Sequence, residues 1–210
     1  LVYTSLSNTT GFQTIEDEQF WNIFSHKQYI LFQSLNRLVI YNQQSNTLDT
    51  YESKHGILDA FVNDDEIYFQ DNNRTLFKIE NEKSLVYLSA DDLNRNQIVG
   101  IANTSIGQLI VTRENGLFLN RTSLKPIQID LSKSLTKDVV YSFNQAANGQ
   151  LILGTVKNGV YILSESGSLV HHINADTGLN NDTVLSVFSD NSGVWLGLDD
   201  GLSYVKLEAA

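Results

Sequence analysis

Short apolar runs recur along this chain with a period-two rhythm. Phe20-Trp21-Asn22-Ile23-Phe24, Ile57-Leu58-Asp59-Ala60-Phe61-Val62, Ile98-Val99-Gly100-Ile101, Val139-Val140-Tyr141-Ser142-Phe143 and Val184-Leu185-Ser186-Val187-Phe188 are rich in β-branched and aromatic residues. Turn residues bound each run, so each predicts a strand. A turn such as Asn148-Gly149 or Asp190-Asn191-Ser192-Gly193 follows, and then a second apolar run, Leu151 to Leu153 for example. Asn158-Gly159 or Asp200-Gly201 leads to a third strand. Asn-Gly and Asp-Gly are expected to supply the positive φ angles of tight hairpins. A fourth stretch closes the unit, as in Pro126-Ile127-Gln128-Ile129 and Leu169-Val170-His171-His172-Ile173. No window sustains a 3.6-residue period, so almost no helix is expected.

The four-run unit repeats. Gly107-Gln108-Leu109-Ile110-Val111 leads to Gly116-Leu117-Phe118; Gly149-Gln150-Leu151-Ile152-Leu153 leads to Gly159-Val160-Tyr161; Gly193-Val194-Trp195-Leu196-Gly197 leads to Gly201-Leu202-Ser203-Tyr204. The leading glycines are 42 and then 44 residues apart. Two weaker copies precede them, around Asp65-Glu66-Ile67-Tyr68-Phe69 and Lys27-Gln28-Tyr29-Ile30-Leu31, with Arg74 standing where Gly116 stands. Four antiparallel strands in about 42 residues are the length of one β-propeller blade. The fold expected is therefore all-β, a β-propeller of about five four-stranded blades starting near residues 20, 57, 97, 138 and 182. A β-sandwich or a parallel β-helix does not explain the period. Residues 1–15 read as the tail of a preceding blade, because Leu1-Val2-Tyr3-Thr4-Ser5 looks like a third strand. Residues 1–210 then form one propeller domain or a fragment of a larger one. The alternative is a closed ring in which Phe12-Gln13-Thr14-Ile15 completes the last blade.

Composition narrows the partners. The formal net charge is −10, with 14 basic residues and no basic block, which argues against nucleic acid, whose binding rests on neutralising phosphates. There are no cysteines, so disulfides and thiolate metal sites are excluded. No apolar run approaches the roughly twenty residues that span a bilayer, so membrane insertion is not expected.

The segment Gly178-Leu179-Asn180-Asn181-Asp182-Thr183-Val184, with Asp190-Asn191-Ser192-Gly193-Val194-Trp195-Leu196-Gly197 and Asp200-Gly201-Leu202, resembles the two-component-regulator propeller repeat. Phe20-Trp21-Asn22-Ile23 and Tyr29-Ile30-Leu31-Phe32-Gln33-Ser34 look like blades of the related triple-tyrosine, LuxR-type regulators. The resemblance implies a non-catalytic, periplasmic sensor region of a membrane-anchored signal-transduction or transcription regulator. It implies a ligand connected with glycans, an oligosaccharide or another small molecule, and dimer contacts. No triple-tyrosine module, kinase or DNA-binding segment is present in these residues. A generic protein-interaction propeller is the alternative, and a propeller-based lyase or glycosidase the more distant one.

Candidate chemistry is sparse. Asp190-Asn191-Ser192-Gly193-Val194-Trp195 also resembles the Asp-box of sialidases. Its expected work is a turn in which the Asp side chain accepts backbone N–H bonds, Gly193 takes the strained angle and Trp195 packs between blades. Asp199-Asp200, Asp64-Asp65, Asp91-Asp92 and Asn180-Asn181-Asp182 follow no calcium-loop spacing. His171 and His172 point to opposite faces of a strand and cannot chelate together. No nucleophile elbow supports a hydrolase triad. No catalytic residue, metal or cofactor is therefore expected. In a propeller the loops between second and third strands share one end with the loops joining blades. That end gathers Asn72, Asn73, Arg113, Glu114, Lys157, Asp199 and Asp200 from the first set, and Asn94, Arg95, Lys137, Asp138, Asn181 and Asp182 from the second. Binding residues concentrate on loops held by a rigid scaffold. Arg95, Arg113, Glu114, Lys157, Asp199 and Asp200 are the candidate ligand-binding residues.

Overall fold

The structure is a computed structural model, and it describes residues 5–11, 18–121, 124–126, 135, 137–190 and 192–207. Five antiparallel sheets follow one another along the chain, each a simple meander in sequence order. The first holds β1 (Phe20–His26), β2 (Tyr29–Ser34), β3 (Arg37–Asn42) and β4 (Thr47–Glu52). The second holds β5 (Ile57–Asn63), β6 (Glu66–Asp71), β7 (Leu76–Glu80) and β8 (Lys83–Leu88). The third holds β9 (Ile98–Thr104), β10 (Gly107–Thr112), β11 (Leu117–Asn120) and β12 (Leu124–Pro126). The fourth holds β13 (Val140–Gln145), β14 (Leu151–Thr155), β15 (Val160–Leu163) and β16 (Leu169–Ile173). The fifth has three strands among the described residues: β17 (Val184–Ser189), β18 (Gly193–Leu198) and β19 (Gly201–Lys206). Two short 3-10 turns, Leu6–Asn8 and Ala175–Thr177, accompany them. Residues 1–4 of the strand expected over Leu1 to Ser5, the stretch Phe12 to Ile15 and the run Ile127 to Ile129 lie outside the described residues, and Ser5 caps the Leu6–Asn8 turn.

The chain divides into two compact units, Leu1–Arg95 and Asn96–Ala210. Within each, sheets stack face to face. In the first unit Leu31, Leu38 and Ile40 of the first sheet meet Ile57, Ala60 and Phe69 of the second. In the second unit Leu109, Val111 and Leu117 meet Leu151, Leu153 and Tyr161. The other face of that fourth sheet, with Ile152 and Val160, meets Val184, Val194 and Leu196 of the fifth. A middle strand covered on both faces has no polar side to show, so it reads as a continuous apolar run rather than an alternating one. All five residues of β14, Leu151 to Thr155, are buried.

One irregularity recurs in every sheet. The register between first and second strands slips by one residue, leaving Trp21, Leu58, Val99, Tyr141 and Leu185 without a partner opposite. A bulge of this kind bends the strand and restarts its alternation. Val140, before the slip, is fully buried, whereas Tyr141 at the slip is 45% exposed. Beside the bulge, side chains of the first strands of the fourth and fifth sheets crowd the second strand of the fourth. A Cβ on Gly154 would stand 2.3 Å from Ser142 Oγ and 2.7 Å from Val184 Cγ1, so this position in the fourth sheet has no room for a side chain.

Candidate ligand-binding end of the blades

In a four-stranded meander, the turn between second and third strands lies at the end where the chain enters and leaves the sheet. Hydrogen bonds in the second unit show how that end is built. Arg113 donates its backbone N–H to Gln97 O (2.9 Å), and its carbonyl accepts from Val140 N (2.8 Å). Val156 N donates to Val139 O (3.1 Å), Gly159 N to Asp182 O (2.8 Å), and Asp199 N to Thr183 O (3.1 Å). Thr183 Oγ1 donates to Val156 O at 2.7 Å. The turns of the third and fourth sheets are thus tied to the segments that enter their own sheet and the next, and the turn of the fifth to the segment that enters its own. The first unit uses the same device, with Ile57 N donating to Leu35 O (2.7 Å) and Asn72 Nδ2 to His55 O (2.8 Å).

The turns themselves are held from within. Thr112 Oγ1 donates to Gly116 O (2.8 Å) and Thr155 Oγ1 to Gly159 O (2.9 Å), and each hydroxyl accepts a backbone N–H from Asn115 or Asn158. Gly116 and Gly159 adopt φ of 74° and 68°. Asn115, Asn158 and Asp200 do not share that conformation, so of each Asn-Gly or Asp-Gly pair only the glycine supplies a positive φ. The asparagines do other work. Asn115 Nδ2 donates to Asn96 Oδ1, and Asn158 Nδ2 donates to Asp138 Oδ2 at 2.7 Å. Asp138 Oδ2 also accepts from the Tyr161 hydroxyl at 2.7 Å. Tyr161 is buried and stacks on His172 with centroids 4.1 Å apart, while His172 Nε2–H donates to Asn158 O at 2.8 Å. Burial first, and then the Asp138 carboxylate, hold the Tyr161 phenol far above its ordinary pKa.

The candidate residues fall into distinct environments. Glu114, Lys157, Asp199 and Asp200 are exposed on the turns of the third, fourth and fifth sheets, and no hydrogen bond or ion pair joins their side chains to one another among the described residues. Arg113 is half-buried, with its guanidinium 5.3 Å from the centre of the Tyr141 ring, so it already has a cation–π partner. Arg95 belongs to the first unit and pairs with Asp91 at 3.1 Å, with both side chains well exposed. In that unit the same end holds a cavity of about 370 Å³, bordered by Lys54, His55, Asn73, Thr75, Phe77 and Val86. Asn72 is engaged as a latch rather than free.

The Asp-box-like turn departs from expectation in two respects. Asp190 Oδ1 does accept N–H bonds from Ser192 (2.7 Å) and Gly193 (2.9 Å). These, with the Trp195 Nε1–H bond to Oδ2 (3.0 Å), hold its carboxyl below the usual carboxylate range, Ser192 contributing most. Gly193, however, is not at a positive φ. A Cβ there would meet Val205 O at 2.3 Å, so close backbone approach is what requires glycine. Trp195 does not pack between sheets: it is 45% exposed and leans on Tyr204. Among the described residues no three Asp, Glu or His side chains converge into a metal-holding group.

Comparison with known proteins places the fold. A scan with protein-family models and a search of curated proteins found no match. Among solved structures, the chain is similar to the extracellular domain of a protein of B. thetaiotaomicron classed as a one-component system, with a TM-score of 0.63 and 19% identity over 95% of this chain and 29% of that one. It is similar to the extracellular domain of a B. thetaiotaomicron hybrid two-component system, with a TM-score of 0.61 and 16% identity over 87% of this chain and 26% of that one. It is also similar to the WD40 β-propeller domain of Doa1, with a TM-score of 0.62 and 13% identity over 87% of this chain and 61% of that one. At these identities the likeness shows the fold: the sheets are blades of a β-propeller. The chain spans under a third of the length of the two extracellular domains it matches. Two of these proteins are the sort that the repeat phrase resembles. The third shows that the fold alone does not choose a function.

Proposed function

We propose that this chain is part of a non-catalytic, extracytoplasmic sensor propeller of a bacterial signalling protein. The propeller stands in the periplasm and receives a polar small ligand, of the oligosaccharide class, at the turn end of its blades. The observation that carries the reading is the contrast at that end between fixed backbone and free side chains. The turns are latched to neighbouring segments by backbone bonds of 2.7–3.1 Å, while Glu114, Lys157, Asp199 and Asp200 remain exposed and unbonded to one another. Rigid turns presenting uncommitted polar groups lose little entropy on binding. The likeness to extracellular domains of one-component and hybrid two-component proteins supports the same reading. Signal output and dimer contacts belong to the wider protein in this proposal.

A thermal-shift panel of oligosaccharides on the full chain tests it. A ligand that binds only the folded state raises the midpoint, by about 2.7 kcal/mol of stability at a hundred times its Kd. The expected result is a shift with at least one oligosaccharide that is lost in Lys157→Ala or in the double variant Asp199→Ala/Asp200→Ala. No shift at millimolar ligand, or one unchanged in those variants, removes the turn end from ligand recognition and favours a surface for protein partners.

A further inference from the structure

The opposite end of the first unit carries a cavity of about 490 Å³ whose chemistry differs from the turn end. Its floor is apolar, formed by Ile40 of β3, Ile67 of β6 and Ile79 of β7. Tyr29 and Tyr51 stand beside it, and Asp49 and Glu82 border it. The strand geometry explains the grouping. Asp49 and Tyr51 are two residues apart on β4 and so share a face, and Ile40 sits directly opposite Asp49 on β3. Glu82 comes from the turn between β7 and β8 of the adjoining sheet.

Two features make this more than an acidic surface. First, Tyr51 is only 9% exposed and borders the cavity, yet its hydroxyl makes no hydrogen bond among the described residues. The hydroxyl is not sealed from solvent, so a ligand seated in the cavity can reach it. Second, the carboxylates lack cations. Asp65, at the same rim, is engaged by Lys27 and lies 3.5 Å from His26. Neither Asp49 nor Glu82 has an ion-pair partner among the described residues. Their fields reach the pocket: after burial, Asp49 and then Glu82 are what push the Tyr51 phenol up to about 12. Yet among the described residues no three acidic or histidine groups come together closely enough to hold a metal ion. The charge is therefore spread around an apolar floor, which suits a cation with a hydrocarbon body rather than a point charge.

We propose that this cavity binds an organic ammonium ligand, its alkyl part over Ile40, Ile67 and Ile79, its ammonium between Asp49 and Glu82, and the Tyr51 hydroxyl accepting one N–H. The aromatic faces of Tyr29 and Tyr51 add a cation–π contribution. The proposal is independent of the sensor reading, since the two sites lie at opposite ends of the sheets.

Glu82 offers a clean test. It sits at φ 59° directly after Asn81 at φ 50°, a pair of left-handed positions that suit asparagine followed by glycine. Glu82→Gly removes the carboxylate while relieving the backbone, so it folds at least as well as the parent. The probe is 1,5-diaminopentane, titrated calorimetrically into the full chain at constant ionic strength. 1,5-pentanediol and magnesium chloride serve as controls. Expected are saturable binding of the diamine alone and at least tenfold weaker binding in both Glu82→Gly and Asp49→Asn, with the melting midpoint of Glu82→Gly equal to or above the parent's. No binding at millimolar diamine, equal binding of the diol or magnesium, or full binding by Glu82→Gly would each overturn the assignment.

Discussion

Asp59 shows how a single displaced residue changes the chemistry of a strand. In the run Ile57 to Val62 it reads as the polar half of an alternation, hence solvent-facing. The bulge at Leu58 restarts that alternation, and Asp59 ends half-buried opposite Gln70. Burial pushes its carboxyl up to about 6; the one opposing influence is the Ala60 N–H that Oδ1 accepts at 2.9 Å. A carboxyl whose folded pKa lies above its unfolded value of 3.8 favours folding while protonated. That contribution is complete below pH about 4 and is lost as pH rises through 6. The loss is about 2–3 kcal/mol. Urea unfolding should therefore show stability falling between pH 4 and 6. Asp59→Asn should flatten that slope and raise the midpoint at pH 7. A variant profile parallel to the parent's would mean that Asp59 titrates alike in both states. Nothing in the sequence marks the slip, because a bulge is a property of two paired strands and not of either run alone.

At the scale of the element, the strands were legible and the turns were only partly so. The five opening runs begin at or within one residue of strands observed at Phe20, Ile57, Ile98, Val140 and Val184, because apolar content and turn residues are local signals. Asn-Gly marked the turns correctly but concealed the second role of the asparagine, whose amide reaches a segment about twenty residues away: Asn158 to Asp138, Asn115 to Asn96. A side-chain bond across that distance has no local pattern to betray it. The last residue of the second strand was likewise missed. Ser34, Asp71, Thr112 and Thr155 each use a side-chain oxygen to hold the turn that follows; Leu198 stands there in the fifth sheet. Aligned copies of the repeat carry that signal as a recurring hydroxyl or carboxyl. Thr155→Val keeps the shape but leaves Asn158 N–H without its acceptor, while Gly159 O keeps only the Thr155 backbone N–H at 2.9 Å. It should cost about 1–2 kcal/mol in urea unfolding. An unchanged midpoint would show that water replaces the hydroxyl.

At the scale of the whole molecule, the same sheet meets two fates. On the fourth sheet, the face bearing Ile152, Val160 and Ile162 is covered by the fifth sheet, and all three are 0% exposed. The corresponding face of the fifth sheet aligns Phe188, Trp195 and Tyr204 across its three strands, with Leu202 beside them. They are 62%, 45%, 41% and 75% exposed. The chemistry of a stacking face is retained while its cover is absent among the described residues, and contiguous apolar surface of this kind promotes association. Among the described residues β19 has no strand on its outer edge, which adds unpaired backbone groups to the same region. The chain should therefore self-associate as concentration rises. Phe188→Asp with Leu202→Asp should suppress that without lowering the melting midpoint, since neither side chain lies in the core shared with the fourth sheet. Light scattering across a hundredfold range of concentration reads the outcome. A parent that stays monomeric throughout, or a double variant that associates as strongly as the parent, would show that this face is tolerated by solvent and carries no drive to be covered.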